Sequence, residues 1–272
     1  MLQRILVILV LTIVVVSAGL ALSPTPGEAN NFGCPQDSVE AGSWCVDKYE
    51  ASVWEMDNAG IINRIREGRI KSEKELIGKA TQLGLRGVDD YDSADCPNTG
   101  NGCTSVFAVS IPGVLPSLNA TWFQAAAACR NAGKELLPNA VWQVAALGTP
   151  DPGLAGDGVN TCNTHTGAPL PTGSAANCVS DVGAFDMVGN VAEWTADWVP
   201  VSAGCVTSMF GSGDFNCFVA SNIPSPGSAA ASLRGGDFAT STAAGVFSIN
   251  ALITVEHSLP DLGFRCGRVR AR

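Results

Sequence analysis

Apolar and polar residues alternate along Ser43-Trp44-Cys45-Val46-Asp47-Lys48-Tyr49-Glu50-Ala51-Ser52, the period-two pattern of a half-buried strand. Helical spacing appears further on. Thr121–Ala132 is rich in Ala and Gln around Cys129, offers Asn119 or Thr121 as a cap and stops at Gly133. A second helix has Pro138 in its first turn and ends at Gly148. Between them and the first strand, residues 56–118 read as an insertion or elaborated loop. It carries a helix around Ser72–Leu83, a Gly/Asp/Asn-rich stretch at Cys96–Cys103 and a short strand at Val106–Ile111.

Beyond Thr149 helical periodicity ends and Gly, Ser, Asn, Thr and Pro dominate. Short strands are predicted at Phe185–Met187, Val191–Asp197, Ser232–Phe238, Ala244–Leu252 and Gly263–Arg268. A few helices early and many short strands late is the pattern of an α+β domain. With 272 residues, 46% of them hydrophobic, the chain can bury a sizeable core as one domain.

One apolar stretch belongs to neither pattern. Arg4 precedes a run from Ile5 to Val16, followed by the small residues Ser17, Ala18, Gly19 and Ala21, which reads as a secretory signal peptide over residues 1–21. Ser23 and Ala29 are alternative cleavage points, and an uncleaved anchor is the competing reading. No cysteine ends the run, which argues against a lipoprotein anchor. Residues 22–33 form an expected disordered spacer, and the domain proper spans 34–272. The destination is the periplasm or the exterior.

Ten cysteines, all beyond the leader, favour disulfides in an exported chain. Cys34 and Cys45, Cys96 and Cys103, Cys162 and Cys178, and Cys205 and Cys217 form four close pairs and leave Cys129 and Cys266; spacing alone leaves the connectivity open. Zinc would want Cys-x-x-Cys or histidine partners, and the sequence has neither. A formal charge of −9 argues against nucleic acid or anionic lipid as partner. Seven of the sixteen basic residues fall between Arg64 and Arg86, a run that reads as a solvated helix and loop, with an anion-binding patch as the alternative.

The blocks Phe185-Asp186-Met187-Val188-Gly189-Asn190-Val191-Ala192-Glu193-Trp194, Arg234-Gly235-Gly236 and Gly263-Phe264-Arg265-Cys266 stand out, together with Ala120–Ala125, Gly133–Pro138 and Val141-Trp142-Gln143. They resemble the formylglycine-generating enzyme (sulfatase-modifying factor) family. The resemblance implies a variant of the C-type-lectin-like fold, low in regular structure and disulfide-rich. It also implies a Cys129–Cys266 bridge, and a calcium site with side-chain oxygens from Asp186 and Glu193 and backbone oxygens from Gly189 and Val191. Two carboxylates and two carbonyls in so short a turn suit the all-oxygen shell of Ca²⁺; the alternative is carboxylates that only cap turn N–H groups. Ala192 stands where the family usually has Trp, which removes packing and no ligand. A second calcium site has only Asn160 or Asn163 as a match and is not expected.

The family's enzymes hold copper on a cysteine pair soon after their Gly-Gly. The matching positions here are Thr240 and Gly245, which cannot supply soft thiolates, so no copper is expected. The family's second bridge is lost at both ends, Ala146 and Asn250. The related iron-dependent sulfoxide synthases need several histidines. Only His165 and His257 exist here, and both read as surface residues. There is no Gly-x-Ser-x-Gly, phosphate-cradling glycine loop or His-Glu-x-x-His. The small-residue stretch Ala239–Gly245, with the alternation from Val246 to Val255, matches the ligand-facing surface of lectin-like relatives; a plain strand and loop completing the core is the alternative.

These readings converge on an exported, non-catalytic family member, a binding or structural module whose partner is a glycan, peptide or protein. Membrane contact is expected only through an uncleaved leader. A modifying enzyme or oxidoreductase with an atypical site is the alternative.

Overall fold

The computed structural model describes residues 33–202, 204–207, 213–217 and 229–271. The expected signal peptide and nearly all of the spacer lie outside the described residues. Strands β1 (Ser38–Ala41) and β2 (Trp44–Asp47) form an antiparallel hairpin, turning at Gly42 with φ +62°. The strand expected over 43–52 therefore ends at Asp47. At the bend, Lys48 N–H donates to Asp37 O and Tyr49 N–H to Ser110 Oγ, so these groups are satisfied outside the ladder. The chain resumes as β3 (Ser52–Glu55) in a different sheet.

Helix α1 (Ala59–Arg66) is capped by the Asn58 side chain, which accepts from Ile61 N–H, and it buries Ile61 and Ile65. The helix expected at Ser72–Leu83 does not form. In its place are a 3₁₀ turn at Glu73–Glu75 and, past Gly78 at φ +74°, strand β4 (Thr81–Leu83). A left-handed glycine halts helical propagation, and Leu83 buries itself by pairing across from Val53. With β5 (Val106–Val109), this segment builds a three-stranded antiparallel sheet centred on β3. Tyr91, Val106 and Phe107 join the main core, so this segment contributes to it.

Helix α2 (Trp122–Asn131) opens on a capping box. Thr121 Oγ accepts from Gln124 N–H at 3.2 Å, and Gln124 Oε1 accepts from Thr121 N–H at 2.9 Å. Its Ala125, Ala128 and Cys129 are buried. Strand β6 (Glu135–Leu136) and helix α3 (Asn139–Ala146) follow. The remaining strands are β7 (Ala192–Pro200), β8 (Asn216–Cys217), β9 (Ala229–Gly235), β10 (Gly245–Asn250), β11 (Leu262–Phe264) and β12 (Cys266–Val269). Phe185 makes only an isolated bridge with Val179, and the last expected strand breaks at Arg265.

Among the described residues there are two further sheets, β1-β2-β12-β6 and β11-β7-β9-β10-β8. The break at Arg265 lets β11 pair with β7 in one and β12 with β2 and β6 in the other. The main core gathers α2, the β3 sheet, Trp194 and Phe264; a second cluster packs Val46, Leu137, Trp142 and Met187. Five bridges pair Cys34–Cys45, Cys96–Cys103, Cys129–Cys266, Cys162–Cys178 and Cys205–Cys217. Among the described residues no helix is long and apolar enough to cross a membrane.

Candidate functional site

The glycine turn before β7 is built from left-handed residues. Asp186 (φ +57°), Gly189 (φ +74°) and Asn190 (φ +58°) each adopt a conformation that costs most L residues. At Gly189 the backbone lies against Asn163 O, and a Cβ would collide with it. Asn190 ties the turn down. Its Nδ2 donates to Glu50 Oε2 at 2.5 Å, and its Oδ1 accepts from Leu170 N–H and Asn163 Nδ2 at 2.9 and 3.0 Å. Glu50, arriving from the bend before β3, also accepts from Val191 N–H at 3.1 Å.

Of the four expected calcium ligands, Asp186, Gly189 and Val191 lie in the turn and Glu193 at the start of β7, and the two carboxylates face different partners. Glu193, fully buried, takes Arg265 Nε and Nη2 on Oε1 at 2.8 and 2.6 Å; its Oε2 takes Arg265 Nε at 2.9 Å and Trp142 Nε1 at 2.7 Å. Arg265, also fully buried, spends its other donors on Asp47 O and Phe185 O. Asp186 Oδ2 accepts from Gly173 N–H at 2.6 Å. Among the described residues no group of three or more His, Cys, Asp or Glu is arranged to hold a metal ion. Both oxygens of Glu193 are thus engaged by Arg265 and Trp142, and one oxygen of Asp186 by Gly173.

The electrostatics follow from burial. Desolvation is the largest cause that pushes Glu50 well above the usual carboxylate range, and the nearby Asp186 and Glu193 push it further. Asp186 rises to about 6, again chiefly by burial, opposed by the Gly173 N–H and Arg265. Three carboxylates thus share one guanidinium. Single-sequence reasoning passes over Glu50 and Arg265 as site residues. The available signals are a carboxylate inside a strand-like alternation and an arginine inside an apolar Gly-Phe-Arg-Cys block.

The second place to look is the loop after Gly235-Gly236. Thr240 Oγ1 accepts from Asp237 N–H at 2.9 Å. Gly245 packs against the buried Asp214 carboxylate, where a Cβ would clash, and Asp214 Oδ2 accepts from Phe247 N–H at 2.8 Å. A cysteine side chain at 245 would have to displace Asp214. All ten cysteines are bridged, so the folded chain presents no thiolate. Ala146 and Asn250 lie on α3 and β10, which touch. His165 Nδ1 pairs with Ser241 Oγ at 2.8 Å, while His257 bonds Thr254 in its own turn. Both sit at exposed contacts and share no ligand set.

Lys134 is another buried charge with partners. Lys134 Nζ donates to Asp37 Oδ2 at 2.5 Å and to Asp47 Oδ1, with both Lys134 and Asp47 out of solvent. This triad pins β1 and β2 to the segment entering β6.

No curated protein matches the sequence. Among solved structures, the Major Tropism Determinant U1 variant is 19% identical with a TM-score of 0.46, over 86% of this chain and 52% of that one. The chain therefore spans about half the length of that protein. CarF is 17% identical (TM-score 0.45), over 83% of this chain and 86% of its own. PvdO from Pseudomonas aeruginosa is 16% identical (TM-score 0.37), over 83% and 94%. Residues 10–270 match the family described as the sulfatase-modifying factor enzyme 1-like domain. That match spans nearly the whole chain and carries with it the formylglycine-generating-enzyme variant of the C-type-lectin-like fold: the chain belongs to the sulfatase-modifying factor enzyme 1-like family.

Proposed function

We propose that this family member is an exported binding module that does not oxidise cysteine through copper. The observation that carries the reading is the loop after Gly236. A hydroxyl stands at 240 and a bare backbone at 245, with the Asp214 carboxylate occupying the space a second thiol would need. Copper(I) selects thiolate or thioether ligands, and every cysteine here is oxidised into a bridge. Five bridges suit an oxidising compartment, in line with export. Partners fitting the reading are glycans, peptides or proteins outside the cytoplasm.

At the glycine turn the proposed scaffold is metal-free. The Glu193–Arg265 pair supplies the internal counter-charge there.

The test is direct. The purified, disulfide-bonded protein is titrated with Cu(I) and then incubated with O₂ and a Cys-x-Pro-x-Arg peptide, followed by mass spectrometry. We expect no stoichiometric copper binding and an intact thiol. An aldehyde in place of the thiol establishes the alternative, a modifying enzyme with an unlike site.

A further inference from the structure

Trp198 is 48% exposed and follows an irregularity in β7. Trp194 pairs with Leu233 and Trp198 with Ala231, so the three residues Thr195, Ala196 and Asp197 stand opposite Ser232 alone. Leu233 and Ala231 lie two apart on β9 and share a face, which puts Trp198 on the same face of the sheet as the buried Trp194. Trp198 lies farther along that face, at the exposed margin where it meets Trp122 and Phe123. The Thr195 carbonyl accepts Trp122 Nε1–H at 2.8 Å.

Trp122, Phe123 and Trp198 meet edge to face in all three combinations. Their centroids are 5.3 to 5.6 Å apart and their planes 78° to 87° from one another, within the preferred range for aromatic pairs. The Cys96–Cys103 loop abuts this cluster. Asn98 O accepts Thr121 Oγ1–H at 2.8 Å, Asn98 Oδ1 accepts from Gln124 Nε2 at 3.3 Å, and a Cβ on Gly100 would lie 2.7 Å from Phe123 O. The loop thus holds exposed Asn98, Thr99 and Asn101 in a bridge-closed frame beside the rings.

We propose that this aromatic cluster and loop form a binding subsite for a neutral saccharide; the proposal rests on the binding-module reading and names its ligand class. A pyranose has an apolar C–H face that suits the negative face of an indole and a hydroxyl rim that suits amides and hydroxyls. Charge selects among saccharides. The named loop groups are uncharged, so a sulfated or uronic sugar meets no counter-ion there. An apolar peptide side chain would use the rings and leave the loop's polar groups idle.

The experiment is a tryptophan-fluorescence titration of the full disulfide-bonded protein with maltotriose, cellotriose and chitotriose. A sulfated oligosaccharide and a hydrophobic peptide serve as comparators. We expect saturable binding of at least one neutral trisaccharide, weakened about tenfold or more by Trp198→Ala and also weakened by Asn98→Ala, with both variants still unfolding in a single cooperative transition above the assay temperature. Binding equal in wild type and Trp198→Ala overturns the subsite and leaves the binding-module reading standing. Failure of all three neutral sugars, or preference for either comparator, also overturns it. The binding-module reading itself falls only to peptide oxidation in the preceding test.

Discussion

Arg265 and Glu193 show how much a single pairing can hold. Both side chains are fully buried and bonded through two oxygens. Removing one partner of such a pair strands the other charge, at a cost of about 3–5 kcal/mol. We therefore expect Arg265→Met to lower the urea-unfolding free energy by that amount, while EDTA leaves the wild-type curve unchanged. A wild-type curve that shifts with EDTA and recovers with Ca²⁺ would overturn the metal-free reading. The Lys134 triad makes a pH-linked expectation. Burial, followed by a second carboxylate at Asp37, raises Asp47 to about 6 although Lys134 opposes it. A carboxyl raised by folding favours the protonated state, so its contribution is complete below the unfolded value near 4 and is lost as pH climbs to about 6. The stability of wild type relative to Asp47→Asn should fall between pH 4 and 6 and level off above, as read from thermal melts across that range. Asp186, Gly189, Val191 and Glu193 are legible in the sequence as a group because they are neighbours in the chain. Glu50 and Arg265 are not, since nothing in one sequence reveals that residues so far apart share a buried hydrogen-bond network.

Elements with local signals are legible where those signals are strong. Thr121 and Gln124 at capping-box spacing announce α2, and Gly133 and Gly148, both left-handed, end the helices as read. Segment 72–83 misleads because its Ser, Glu, Lys and Leu content favours helix, whereas Gly78 and the pairing of Leu83 with Val53 decide the outcome. The split at Arg265 is hidden for a different reason: two strands in two sheets look like one alternating run. Thr121 carries more than a cap, since its hydroxyl also donates to Asn98 O. We expect Thr121→Ala to cost about 1–2 kcal/mol, above a typical cap loss, and Thr121→Ser to recover most of it, measured by chemical denaturation.

At the scale of the whole molecule, few regular elements are tied by many long-range connections. Cys129–Cys266 closes a span of 137 residues, for which the chain-entropy account gives about 5 kcal/mol. The positions of the cysteines made bridging legible, but only the family resemblance joined this pair in advance. The role of residues 56–118 was not legible, because the β3 sheet exists only once β4 and β5 close on a strand earlier in the chain.

Strand β12 lies between β2 and β6 and has a consequence for timing. Synthesis delivers β2 long before β12, so one edge of β2 has no partner until residues 266–269 have been made. The Cys129 thiol waits equally long for Cys266. Contacts this distant in sequence are slow to form. Closure of this sheet therefore waits until β7 to β11 have been made, and the amino-terminal hairpin alone does not complete it.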